Sequence, residues 1–68
     1  MVKVLLIPDR KTFVFEEKEV KIRDILEKLE FNEDDVAILV NNHLIDDLDF
    51  IVSEKDDIKL VRVATGGL

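Results

Sequence analysis

Apolar positions along the chain follow two different periods. Val2-Lys3-Val4-Leu5-Leu6-Ile7 is aliphatic and β-branched at nearly every position. It predicts a strand covered on both faces, hence central in a sheet. Pro8-Asp9-Arg10-Lys11 supplies turn chemistry. Thr12-Phe13-Val14-Phe15-Glu16 reads as a second strand, closing a hairpin with the first. From Lys21 to Glu30 the period changes. Ile22, Ile25, Leu26 and Leu29 stand at i, i+3, i+4 and i+7, one apolar stripe on a helix. Arg23, Asp24, Glu27, Lys28 and Glu30 take the wet side, and Asp24 in the first turn suits the helix dipole. Lys21 is a poor N-cap where Ser, Thr or Asp is preferred, and Asn32 is the expected stop signal.

Period two returns at Val36 to Val40, with Ile38 and Val40 on one face and Ala37 and Leu39 on the other. Asn41-Asn42 turns the chain into a short strand, His43-Leu44-Ile45, because Asn tolerates the positive φ of such turns. Asp46 to Asp56 is an acidic connection anchored by Leu48, Phe50, Ile51 and Val52, and Ile58 to Val63 is the last strand. The order predicts an α+β fold of two layers, one helix packed across one face of a mixed sheet of four to five strands. The first and last strands, the most apolar, should be neighbours in its middle. With Val4, Leu6, Ile38, Val40, Ile58 and Leu60 facing the helix, Leu5, Ile7, Leu39, Val61 and Val63 face outward. An exposed apolar patch of that kind marks a partner site. A register slip of one residue would exchange the two faces.

Length limits what this patch can serve. A chain of 68 residues makes one domain. It buries only about 60% of its unfolded surface and has no room for a deep catalytic cleft. With 47% hydrophobic and 38% charged residues it reads as globular rather than disordered. There is no cysteine for disulfides or thiolate metal sites. No apolar run approaches the roughly 20 residues of a membrane span, and no signal peptide is visible, so the cytoplasm is the default expectation. The net charge is −6, and ten of the sixteen acids lie between Glu30 and Asp57, where Lys55 is the only Lys or Arg. Phosphate backbones repel such a chain, so nucleic acid and anionic membrane are poor partners and a basic protein surface a better one. The same charge also keeps a small domain soluble.

His43 stands without a second His or Cys, so no metal site is expected. Asp46, Asp47 and Asp49 lack the glycine and the spaced Glu of a calcium loop, and read as a solvated acidic loop. Phe13, Phe15, Phe31 and Phe50 are expected in or near the core. An enzyme needs a base or nucleophile held in a pocket, and the isolated histidine does not supply one. The chain is therefore read as not an enzyme, binding no cofactor itself and monomeric when free.

The two glycines are both in the last three residues, Gly66-Gly67-Leu68. A terminal Gly-Gly without Cβ atoms forms a thin strand. It can thread a narrow channel and present a carboxylate to another protein's active site. The bland alternative is a frayed end. Residues 1–64 are read as the domain and 65–68 as a flexible tail, whose backbone order parameters should fall below those of the strands.

Four segments carry a resemblance over the whole chain to the ubiquitin-like β-grasp sulfur carriers, the ThiS/MoaD-like family with its archaeal ubiquitin-like small modifiers. Ile22-Arg23-Asp24-Ile25-Leu26-Glu27-Lys28-Leu29 resembles their Val-Arg-Asp-Leu-Leu-x-x-Leu helix. Ala37-Ile38-Leu39-Val40-Asn41-Asn42 resembles Ala-x-x-Val-Asn-Gly, and Lys55-Asp56-Asp57 stands where they have Asp-Gly-Asp. Val63-Ala64-Thr65-Gly66-Gly67 resembles Val-x-Gly-Gly with one residue more. Asn42 and Asp56 replace turn glycines, which Asn and Asp do best among other residues. Leu68 follows the glycine that would bear the reactive carboxylate. Either a protease trims it, or it is foreign to the native chain, or the chemistry has been lost.

The resemblance implies a β-grasp fold and a carrier rather than a catalyst. An activating enzyme of the ubiquitin-activating type would use ATP and Mg²⁺ to make the Gly67 carboxylate an acyl-adenylate. Sulfur from a donor would displace AMP and leave a thiocarboxylate for a sulfur-using synthase, in thiamine, molybdopterin or tRNA sulfur transfer. Gly66 and Gly67 would carry the chemistry, with Thr65 and Ala64 in the partner's channel. The alternatives are a modifier conjugated through Gly-Gly to a target lysine, and a β-grasp interaction module with an inert tail, since fold alone does not fix function.

Overall fold

Hairpin closure comes first in the chain and frames the sheet. Val2–Ile7 (β1) pairs antiparallel with Lys11–Phe15 (β2), with Val2 opposite Phe15 and Leu6 opposite Lys11. The turn needs one left-handed residue, Arg10 at φ 59°, whose N–H donates to the Leu6 carbonyl at 2.7 Å. These coordinates are a computed structural model describing residues 1–63. The expected tail, with Ala64, Thr65, Gly66 and Gly67, lies outside the described residues.

Glu19–Lys21 (β3) leads directly into the helix, Ile22–Leu29 (α1). Ile22, Ile25 and Leu26 are buried and Leu29 half-buried, as the stripe predicts. Lys21 makes no side-chain cap. The first helical N–H groups are satisfied instead by the acidic connection. Ile22 donates to the Phe50 carbonyl at 3.0 Å and Arg23 to the Leu48 carbonyl at 2.8 Å. The Arg23 guanidinium also meets Asp49 Oδ1, at 3.3 Å from Nε and 3.2 Å from Nη2. The helix stops two residues before the expected Asn32. Glu30 takes the left-handed conformation at φ 62°, and Phe31 N–H donates back to the Leu26 carbonyl at 2.9 Å. Asn32 instead precedes a single 3₁₀ turn, Glu33–Asp35.

Val36–Val40 (β4) and His43–Ile45 (β5) form the second hairpin around Asn41 and Asn42, both left-handed at φ 52° and 68°. Ile51–Ser53 (β6) pairs antiparallel with β3, and Ile58–Arg62 (β7) closes the fold. The main sheet runs β2-β1-β7-β4-β5. The parallel β1–β7 pair sits inside it, as expected, and the other pairings are antiparallel. The short β3–β6 ribbon is separate, and it makes a strand of Ile51–Ser53 within what the sequence presents as an acidic connection. One helix over a mixed sheet of five strands is the α+β β-grasp arrangement.

The core lies between α1 and the sheet. Val4, Leu6, Ile38, Val40, Ile58 and Leu60 are all buried, so the register predicted from alternation is the register observed. Phe15 is buried and Phe13 and Phe31 pack against the core, but Phe50 is 37% exposed and is not a core residue. Phe50 contributes its backbone carbonyl to the helix start, accepting from Ile22 N–H at 3.0 Å. Among the described residues, no helix is long and apolar enough to cross a membrane, and no His, Cys, Asp and Glu cluster could hold a metal ion.

Candidate docking face and tail exit

The face of the sheet away from α1 is built from the odd positions of β1, β4 and β7. Register places them in rows. Leu5 of β1 stands beside Lys59 of β7, which stands beside Leu39 of β4. One row on, Ile7 stands beside Val61, and Val61 beside Ala37. Leu5, Ile7, Leu39 and Val61 are half-buried, and Val63 beyond the strand is 43% exposed. Register puts Leu5, Ile7, Leu39 and Val61 together on the outer face, whereas Val63 lies beyond the paired residues of β7.

Two further apolar residues join this side. Leu44 pairs with Leu39 and is 72% exposed, extending the Leu5–Lys59–Leu39 row across β5. Val14 pairs with Lys3 and is 51% exposed at the β2 edge. Leu44 was legible in principle: a two-residue turn at Asn41-Asn42 puts His43 opposite Val40, hence Leu44 beside Leu39. The one cation in the middle of the face is Lys59. Its ammonium reaches Asp57 at 3.8 Å, so the aliphatic stem lies along the sheet while the charge is drawn to the edge.

Both ends of β7 are anchored. At its start, Asn41 N–H donates to the Asp57 carbonyl at 2.7 Å, and Asp57 N–H donates to Asn41 Oδ1 at 2.9 Å. Asp56 accepts from Ser53 N–H at 2.7 Å, from Asn41 Nδ2 at 3.0 Å and from Ser53 Oγ at 3.3 Å. The Ser53 backbone bond, then the Asn41 side chain, hold its carboxyl below the ordinary aspartate range against a small opposing effect of burial. Asp56 is not among the left-handed residues. It does not act as a glycine substitute in this turn; its carboxylate staples the turn instead.

At its end, Arg62 turns back to the helix side of the sheet, in register with buried Val36. Its Nε lies 3.2 Å from Asp9 Oδ1, and its guanidinium carbon lies 5.2 Å from the Phe31 ring centroid. Val63 N–H then donates to the Asp35 carbonyl at 3.1 Å. Beyond this point the sequence continues Ala64-Thr65-Gly66-Gly67-Leu68. His43, the lone histidine, is exposed at the β5 edge, away from this exit in the register.

No curated protein matches the chain. The sequence model of the ThiS family matches residues 6–67, from β1 through both glycines. That span covers nearly the whole chain and agrees with the β-grasp topology and the four resembling segments; the chain belongs to the ThiS family.

Proposed function

We propose that this protein is a sulfur carrier whose Gly67 carboxylate is adenylated by a dedicated activating enzyme and then converted to a thiocarboxylate. ThiS family membership supports a sulfur-carrier role in general terms, alongside activating and sulfur-using enzymes. The observation that carries the finer reading is the extent of the family match, which runs to Gly67. In the first step a Gly67 carboxylate oxygen attacks the α-phosphorus of ATP, and pyrophosphate leaves. In the second, hydrosulfide supplied by the donor attacks the acyl carbon, AMP leaves with the electron pair of the broken C–O bond, and the sulfur gives up its proton to solvent, leaving the thiocarboxylate. ATP and Mg²⁺ belong to the activating partner. The outer face, with Leu5, Ile7, Leu39, Val61 and Val63, docks on that partner, and Ala64, Thr65 and Gly66 enter its channel.

ATP–pyrophosphate exchange with chains ending at Gly66, Gly67 and Leu68 tests this. Each residue moves the carboxylate by up to about 3.5 Å along an extended chain. A misplacement of about 1 Å can already cost on the order of a hundredfold in rate. The Gly67 form should exchange and the other two should not. Equal exchange with the Leu68 form would show that Leu68 is a tolerated end. No exchange with any form, across the host's activating enzymes, would favour an interaction module with an inert tail.

A further inference from the structure

Five residues before Gly67, Arg62 is held by groups from separate parts of the fold. Asp9 comes from the β1–β2 turn and Phe31 from the end of α1. Asp35, which accepts the next backbone hydrogen bond, comes from the 3₁₀ turn before β4. The Arg62 side chain is 51% exposed, yet two groups lie against it. Here the planar guanidinium lies within the roughly 6 Å at which a cation is attracted to an aromatic ring. Its Nε lies 3.2 Å from a carboxylate oxygen of Asp9, whose side chain is only 25% exposed.

We propose that Arg62 is a positioning residue for the tail: held between Asp9 and Phe31, it sets the point where β7 ends and the chain departs toward a partner. The inference rests on the carrier reading above. Gly67 is only the fourth residue after Val63, so the carboxylate can reach at most about 14 Å beyond the Val63–Asp35 bond. With so short a reach, the place of departure sets where the carboxylate can go. If the Val63–Asp35 bond opens, the departure point moves back along β7, and the chain must lose more conformational freedom on entering a channel. That cost falls on binding. Once the tail is seated, the reacting atoms are unchanged.

The test uses the chain ending at Gly67, with Arg62→Ala, Asp9→Ala and Phe31→Leu variants. It reads KM and kcat in pyrophosphate exchange, together with amide hydrogen exchange at Val63. Exposed ion pairs and cation–π contacts are each worth up to about fivefold in an equilibrium. Arg62→Ala should therefore raise KM about five- to tenfold, and Asp9→Ala up to about fivefold, with kcat unchanged. Phe31→Leu should follow the same direction, and Val63 exchange should accelerate in all three. Asp9→Ala removes no core contact, so it keeps the test open if Phe31→Leu perturbs folding. Loss of activity in Arg62→Ala with Asp9→Ala and Phe31→Leu unaffected would mean that Arg62 touches the partner directly, overturning the positioning role. An unchanged KM in all three variants, with an active parent, would overturn it as well. An inactive parent chain would sink the carrier reading itself, and this inference with it.

Discussion

Leu60 and Val61 are consecutive in β7 and face opposite ways, so the same substitution at each separates core from surface. Leu60 is 0% exposed under α1, whereas Val61 is half-buried between Ile7 and Ala37 on the outer face. At roughly 0.05–0.15 kcal/mol per residue, a domain of this length has about 3–10 kcal/mol of stability. Truncating a buried leucine costs about 2–5 kcal/mol, and an unpaired carboxylate in its place adds several more. Leu60→Asp should therefore abolish folding. Val61→Asp loses a β-branched side chain from a half-covered position, a cost of about 1 kcal/mol. Val61→Asp should fold and unfold cooperatively in urea, with its midpoint only slightly lowered. Its binding to the activating partner should nevertheless fall on the order of a hundredfold, because docking would desolvate a charge against an apolar surface at about 2–3 kcal/mol. Circular dichroism with urea titration measures the first effect, and calorimetric titration with the partner the second. A Val61→Asp chain as unfolded as Leu60→Asp would refute the face assignment. A folded Val61→Asp chain that binds as tightly as the parent would refute docking through this face.

Two other substitutions probe local geometry. Glu30→Gly should raise stability by about 0.5–1 kcal/mol in urea, because a side chain with Cβ at φ 62° is strained by about 1–2 kcal/mol, partly offset by glycine's greater freedom when unfolded; a loss of stability would contradict the left-handed helix end. The Asp56 carboxyl titrates lower folded than unfolded, so the stability it contributes is present above its unfolded value and is lost as pH falls through the folded one. Asp56→Asn should be less stable than the parent at neutral pH, with the gap closing below about pH 4, and parallel acid profiles for the two chains would show that Asp56 contributes nothing to the pH dependence.

Much of this architecture is written in short-range pattern. The Ile22, Ile25, Leu26 and Leu29 stripe specifies a helix, and period-two alternation in β1, β4 and β7 specifies strands. Because that period is two, it also sorts Leu60 from Val61 without any knowledge of partners. Asn41-Asn42 determines its turn locally, since few other residues accept two successive positive φ angles. The Gly-Gly was legible for the same reason of composition, as the only glycines in the chain.

Tertiary structure decided what depends on residues far apart in the chain. Glu19–Lys21 has one buried anchor, Val20, and becomes a strand only because Ile51–Ser53 arrives some thirty residues later to pair with it. No local window contains both halves. The helix start looked uncapped because its acceptors are the Leu48 and Phe50 carbonyls, and backbone acceptors leave no mark on residue type. Glu30 ends the helix although its type argues against the conformation, because half-buried Phe31 packs on the core while its N–H returns to Leu26. Asp56 read as a stand-in for glycine, yet its carboxylate is what the turn uses, gathering donors from Ser53 and Asn41. Nothing in the residue pattern of the last strand sets Arg62 apart. Its hold on Asp9 and Phe31 exists only once the hairpin, the helix end and β7 have come together, since a contact among three distant segments has no period in sequence.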